Sequence, residues 1–109
     1  MNVRQLSEKL NLEIISDAGE MEALVDGCFA GDLLSLAMSS VQMGNVWITV
    51  QTNMNILAIA SLTEASCIIV ANSMNISDEV IGKAKEEKIC LFRSDESVYE
   101  LCNKIGDII

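Results

Sequence analysis

Val3, Leu6 and Leu10 recur at i, i+3 and i+7, with Arg4, Gln5, Glu8 and Lys9 between them. That spacing predicts a short amphipathic helix. The pattern then changes period. "LEIIS" (Leu12–Ser16) predicts a strand, and "DAGEMEA" (Asp17–Ala23) an acidic connection. The connection is too short to hold a crossover helix, so the strands beside it need not be parallel. "LVDGCFA" (Leu24–Ala30) predicts a second strand. Gly31 breaks it, and Asp32 is placed to cap a helix that begins at Leu33 and carries Leu33, Leu34, Leu36, Ala37, Met38 and Val41. Gly44 closes that segment before the β-branched strand "NVWITVQ" (Asn45–Gln51). Thr52 or Asn53 can then cap "MNILAIASL". The unbroken apolar run "CIIVA" (Cys67–Ala71) predicts a strand buried on both faces. Ser77 caps "DEVIGKAKEE", where Asp78 and Glu79 suit the helix dipole. "ICLF" (Ile89–Phe92) predicts the last strand. Ser94 or Asp95 opens a final helix striped by Val98, Leu101, Cys102 and Ile105.

From Leu24 onward strands and helices alternate strictly. Apolar strands alternating with helices imply a parallel sheet covered on both faces. The expected fold is therefore a single three-layer α/β domain over residues 1–109, Rossmann-like, with a mostly parallel sheet. In such a sheet the loops at the carboxyl ends of the strands share one rim, where ligands usually bind. That rim would collect Gly31, Asp32, Gln51, Thr52, Asn53, Asn72, Ser73, Arg93 and Ser94. Free amides at the helix starts fit an anion, and Arg93 could pair with it. The same residues also serve as ordinary helix caps (Asp32, Asn53, Ser94) and turn-forming glycines.

Composition narrows the function classes. Half of the 109 residues are hydrophobic, and the mean hydropathy is +0.35. A small domain has much surface to cover, so part of this apolar material suits a subunit interface. Aromatics are only 4%, which makes the core aliphatic. The helix containing "NMNILAIASL" points the same way. Ile56, Ile59 and Ala60 share one face, while Met54, Leu57, Ala58 and Leu62 lie largely on another. A helix on a sheet needs one apolar stripe, so a homodimer covering the second face is expected. Other helices of the domain are the plainer cover.

The net charge of −9 disfavours nucleic acid and anionic membranes as partners. No histidine is present, which excludes a histidine-based triad or zinc site. Cys28, Cys67, Cys90 and Cys102 include no C-x-x-C pair. They are expected to be reduced structural thiols, with Cys28, Cys67 and Cys90 buried, which suits a cytoplasmic location. No metal or cofactor is expected. "MNVRQLSEKL" does not read as a signal peptide, and the longest apolar run, near Ile56–Leu62, is far too short to span a bilayer.

"GCFAG" (Gly27–Gly31) is neither a P-loop nor a G-x-G-x-x-G fingerprint. The order of three segments is more telling. "VDGCFAGDLLSLAM", "GNVWITVQTNMNILAIASL" and "CIIVANSMNISDEVIGKAKEEKICLFRSDESVYEL" together resemble the DRTGG domain family over nearly the whole chain. Asp26-Gly27-Cys28 stands where that family has Thr-Gly-Gly, and its Asp-Arg pair falls near Met21–Glu22 and is missing. Gln51-Thr52-Asn53 is similar to its Gln-Thr-His. The resemblance implies a fold like the amino-terminal domain of HPr kinase/phosphorylase and a regulatory role, without the P-loop domain that carries kinase activity. A non-catalytic regulatory module follows, with a small-molecule ligand or a protein partner. A small enzyme built on Asp32, Cys28 or Glu64 is the alternative, though no base orients Cys28. A regulator reading DNA through the first helix is opposed by the charge and lacks a basic recognition helix.

Overall fold

The computed structural model describes residues 1–109. Its elements run α1 (Val3–Lys9), β1 (Glu13–Asp17), β2 (Gly27–Ala30), α2 (Leu34–Ser40), β3 (Asn45–Thr49), α3 (Asn55–Thr63), β4 (Cys67–Val70), α4 (Asp78–Glu86), β5 (Cys90–Arg93) and α5 (Val98–Ile108). They build a five-stranded sheet in the order β1-β5-β4-β3-β2. Strands β2 to β5 are parallel, whereas β1 runs antiparallel to β5. The connection after β1 does more than avoid a parallel pairing: it carries the chain from one edge of the sheet to the other.

Two apolar layers explain the three-layer build. One face packs against α1 and α5 through Val3, Leu6, Leu101 and Ile105, over Val46, Cys67, Ile69 and Phe92. The other packs against α2, α3 and α4 through Ala37, Ile56, Leu57, Val80 and Ala84, over Trp47, Ile68 and Leu91. Successive strand residues point to opposite faces, so a strand buried on both sides must be apolar throughout. β4, Cys-Ile-Ile-Val, meets that condition and all four residues are buried. It is the central strand.

Two expectations change here. Leu57 is 2% exposed and belongs to the core, in the same apolar layer as Ala37 of α2 and Val80 and Ala84 of α4. Leu62, by contrast, is 71% exposed. Cys67 and Cys90 are buried as expected, but Cys28 is exposed. The cause is topological: β2 is an edge strand, and only one of its sides is paired. Desolvation pushes the buried thiols up, Cys90 to about 11, which leaves them little thiolate at neutral pH.

A candidate ligand-binding rim at the carboxyl ends of the strands

Parallel strands end on one edge, so the fold places all the expected rim residues there in the order of the strands. Gly31 and Asp32 follow β2, Gln51 to Asn53 follow β3, Asn72 and Ser73 follow β4, and Arg93 and Ser94 close β5. They form two corners built in different ways.

At the β2–β3 corner, Asp32 is not a helix cap. Leu33 occupies the cap position of α2 and makes no side-chain cap bond. Asp32 Oδ1 instead accepts from Thr49 Oγ1 at 2.9 Å and from the Val50 amide at 2.8 Å. The Gln51 side-chain amide donates to the Asp32 carbonyl at 3.0 Å, and the Gln51 backbone amide donates to Thr49 Oγ1 at 3.1 Å. Beneath them Trp47 Nε1 donates to the Gly31 carbonyl at 3.0 Å. Carboxylate, hydroxyl and indole thus tie the two turns together. Thr49, fully buried, is the residue that sequence reasoning missed: within "NVWITVQ" it passes for an ordinary strand former. Asn53 does act at a helix start, its Oδ1 accepting from the Asn55 amide at 2.8 Å.

At the β4–β5 corner, Arg93 holds the loop after β4. Its Nε donates to the Met74 carbonyl and its Nη2 to the Ser73 carbonyl, each at 2.8 Å. Nη1 reaches Glu13 Oε1 at 3.0 Å, linking the loop to the antiparallel strand β1. The loop needs holding. Asn72 and Ser73 both lie in the left-handed region, with φ of 59° and 54°, and each such residue costs on the order of 1 kcal/mol or more. Ser73 Oγ donates to Asp95 Oδ1 at 2.6 Å. Ser94 is not the cap of α5 either; its Oγ accepts from the Glu96 amide. Ser97 takes the cap, in a reciprocal box with Glu100, which draws the Glu100 carboxyl below its usual range through hydrogen bonds from Ser97 and the nearby Lys104 charge.

The candidate catalytic residues are not brought together. Asp32 lies on the carboxyl rim, while Glu64, the left-handed C-cap of α3, lies at the opposite end of the sheet. There it borders a depression of about 640 Å³ that is also lined by Asp26, Gly44, Ser66 and Lys88. A second groove of about 400 Å³ runs between α3 and α4, beside Leu57, Leu62 and Lys83. None of the rim residues lines either one. No group of three or more cysteine, aspartate or glutamate side chains is arranged to hold a metal ion.

This is the architecture of an α/β domain of the DRTGG type. The model of the family described as "HPr Serine kinase N terminus" matches residues 49–109, and the chain belongs to that family. Among solved structures, the fold is similar to the CBS and DRTGG domains of the regulatory region of Clostridium perfringens pyrophosphatase, complexed with its activator, diadenosine tetraphosphate. The two are 16% identical with a TM-score of 0.77, over 95% of this chain and 45% of that one. This chain therefore spans less than half of that protein chain. No curated protein matches it.

Proposed function

We propose that the chain is a non-catalytic regulatory module that senses a small anionic, nucleotide-like ligand at the carboxyl rim and acts as a cytoplasmic homodimer or with a protein partner. The observation that carries this reading is the β4–β5 corner. Two consecutive left-handed residues, Asn72 and Ser73, sit in a loop whose Ser73 and Met74 carbonyls both accept from the Arg93 guanidinium. Strain kept in a loop at the ligand-binding edge of a parallel sheet is the mark of a preorganised site. Arg93 uses three of its five N–H donors within the chain, so two remain for an anionic group. The nucleotide class is supported by the nucleotide activator in the complex of the similar regulatory region. The dimer is supported by Leu33, Leu36 and Met38 around α2 and by Leu62 of α3, all exposed on neighbouring helices.

The test is a two-dimensional amide NMR titration with ATP, diadenosine tetraphosphate and pyrophosphate, paired with thermal melts. Ligand binding to the folded state raises the melting temperature by mass action. Amide shifts are expected at Thr52, Asn53, Asn72 and Arg93, and Thr52→Val should weaken binding without lowering stability much. Shifts confined to the depression beside Glu64, or no response to any of the three compounds, would reject the reading.

A further inference from the structure

The strand register places Cys28 and Cys67 in one row. Cys28 of β2 pairs with Val46 of β3, and Val46 pairs with Cys67 of β4. Val46 and Cys67 both belong to the layer covered by α1 and α5. Cys28 therefore faces that layer too, since residues paired across a sheet share a face. Its neighbour Phe29 packs into the opposite layer, as the alternation requires. Helix α5 lies over β2 and β3, and its Cys102 packs at the margin of the same layer beside Leu101. Cys28 and Cys102 thus sit on the two elements that meet at this margin, β2 and α5, and the Cys102 thiol adds to the desolvation that pushes the Cys28 thiol up. Cys67 is a poor alternative partner for Cys28. It is fully buried, and two strand spacings set it about 9–10 Å away, beyond disulfide reach.

We propose that Cys28 and Cys102 form a reversible intramolecular disulfide when the protein meets a small-molecule disulfide, latching α5 to the edge strand β2. The chemistry is two exchanges. One thiol loses its proton to solvent, and the thiolate attacks a sulfur of the reagent, expelling one reagent thiolate and leaving a mixed disulfide. The second protein thiolate then attacks the protein sulfur of that bond and expels the other reagent thiolate. The protein pair is oxidised by two electrons, and the reagent is reduced to two thiols. Cys28 is the exposed member and Cys102 is half-buried, so the reagent has access. Desolvation, with the Cys102 thiol adding to it, pushes Cys28 up to about 12. The Cys28 thiolate fraction, and with it attack by Cys28, rises with pH. The latch would also fix the strand whose last residue, Ala30, leads directly into Gly31 and Asp32 at the rim, independently of whether the rim binds a ligand.

The experiment incubates the full chain with millimolar oxidised glutathione at pH 8.5 and follows it by intact mass, peptide mapping and thermal melting. The expected product has lost two hydrogens, titrates two fewer than the four cysteine thiols when denatured, and maps to a Cys28–Cys102 link. Closing so long a loop should raise the melting temperature by at least about 5 °C, and dithiothreitol should reverse the change. Cys28→Ser and Cys102→Ser should each block the product. A stable glutathione adduct, a link between two chains through Cys28, or no reaction would overturn the proposal.

Discussion

Replacing Asp32 with alanine removes the acceptor that joins two turns of the rim. Asp32 Oδ1 takes two hydrogen bonds, one from Thr49 Oγ1 and one from the Val50 amide. Asp32 itself is exposed, so solvent screens the charge-assisted part of both bonds, and each is credited with about 1 kcal/mol. In the variant the two donors fare differently. The Val50 amide can turn to water, but the Thr49 hydroxyl belongs to a residue with no exposed surface. A buried donor without a partner costs about 1–3 kcal/mol. The expected loss for Asp32→Ala is therefore about 2–3 kcal/mol, or roughly 10 °C in melting temperature for a domain of this size. Asp32→Asn keeps an oxygen in place and should cost less than about 1 kcal/mol. Thr49→Val removes the orphaned hydroxyl, so the double variant Asp32→Ala with Thr49→Val should lose little more than Thr49→Val alone. Urea unfolding followed by circular dichroism measures the parent and all four variants on one scale. The reasoning is refuted if alanine and asparagine cost the same, or if the cycle shows no coupling between positions 32 and 49.

Two more outcomes follow from burial and charge. Leu57→Glu should leave the chain unfolded, because Leu57 is 2% exposed, whereas Leu62→Glu, at a residue 71% exposed, should fold normally by circular dichroism; if α3 lies at a homodimer interface, sedimentation of Leu62→Glu should show a lighter species than the parent. Glu100 has a folded-state pKa below its unfolded value, so its contribution is present above about pH 4.5 and is lost as the pH falls through the folded value; the stability gap between the parent and Glu100→Gln should be widest near neutral pH and close on acidification, and a gap unchanged down to pH 3 would contradict the capping geometry.

What the sequence by itself determined is everything governed by local pattern. The run Cys-Ile-Ile-Val from Cys67 has no polar position, and only a strand covered on both faces tolerates that, so the centre of the sheet was legible. Ser77 capping α4 was equally legible, because the need for an acceptor at a helix start is satisfied within a few residues. The spacing of Val3, Leu6 and Leu10 marked α1 for the same reason. The alternation of strands and helices then assigned the rim residues to one edge. Tertiary structure decided what depends on distant partners. Which edge receives β1 depends on its pairing with β5, whose residues lie 73 to 80 positions further along the chain, from Asp17↔Cys90 to Glu13↔Arg93, and no short stretch encodes that partner. Leu57 is core rather than interface because it packs into the apolar layer that α2, α3 and α4 build on one face of the sheet. Cys28 is exposed because β2 lies at an edge. Asp32 and Ser94 satisfied every rule for a helix cap, yet each found another donor: Asp32 in Thr49 and Val50 of the adjacent strand, Ser94 in Glu96 of its own turn. A polar side chain takes whichever partner the fold brings within hydrogen-bond distance, and for Asp32 that partner is set by a strand pairing that its neighbours in the chain do not specify.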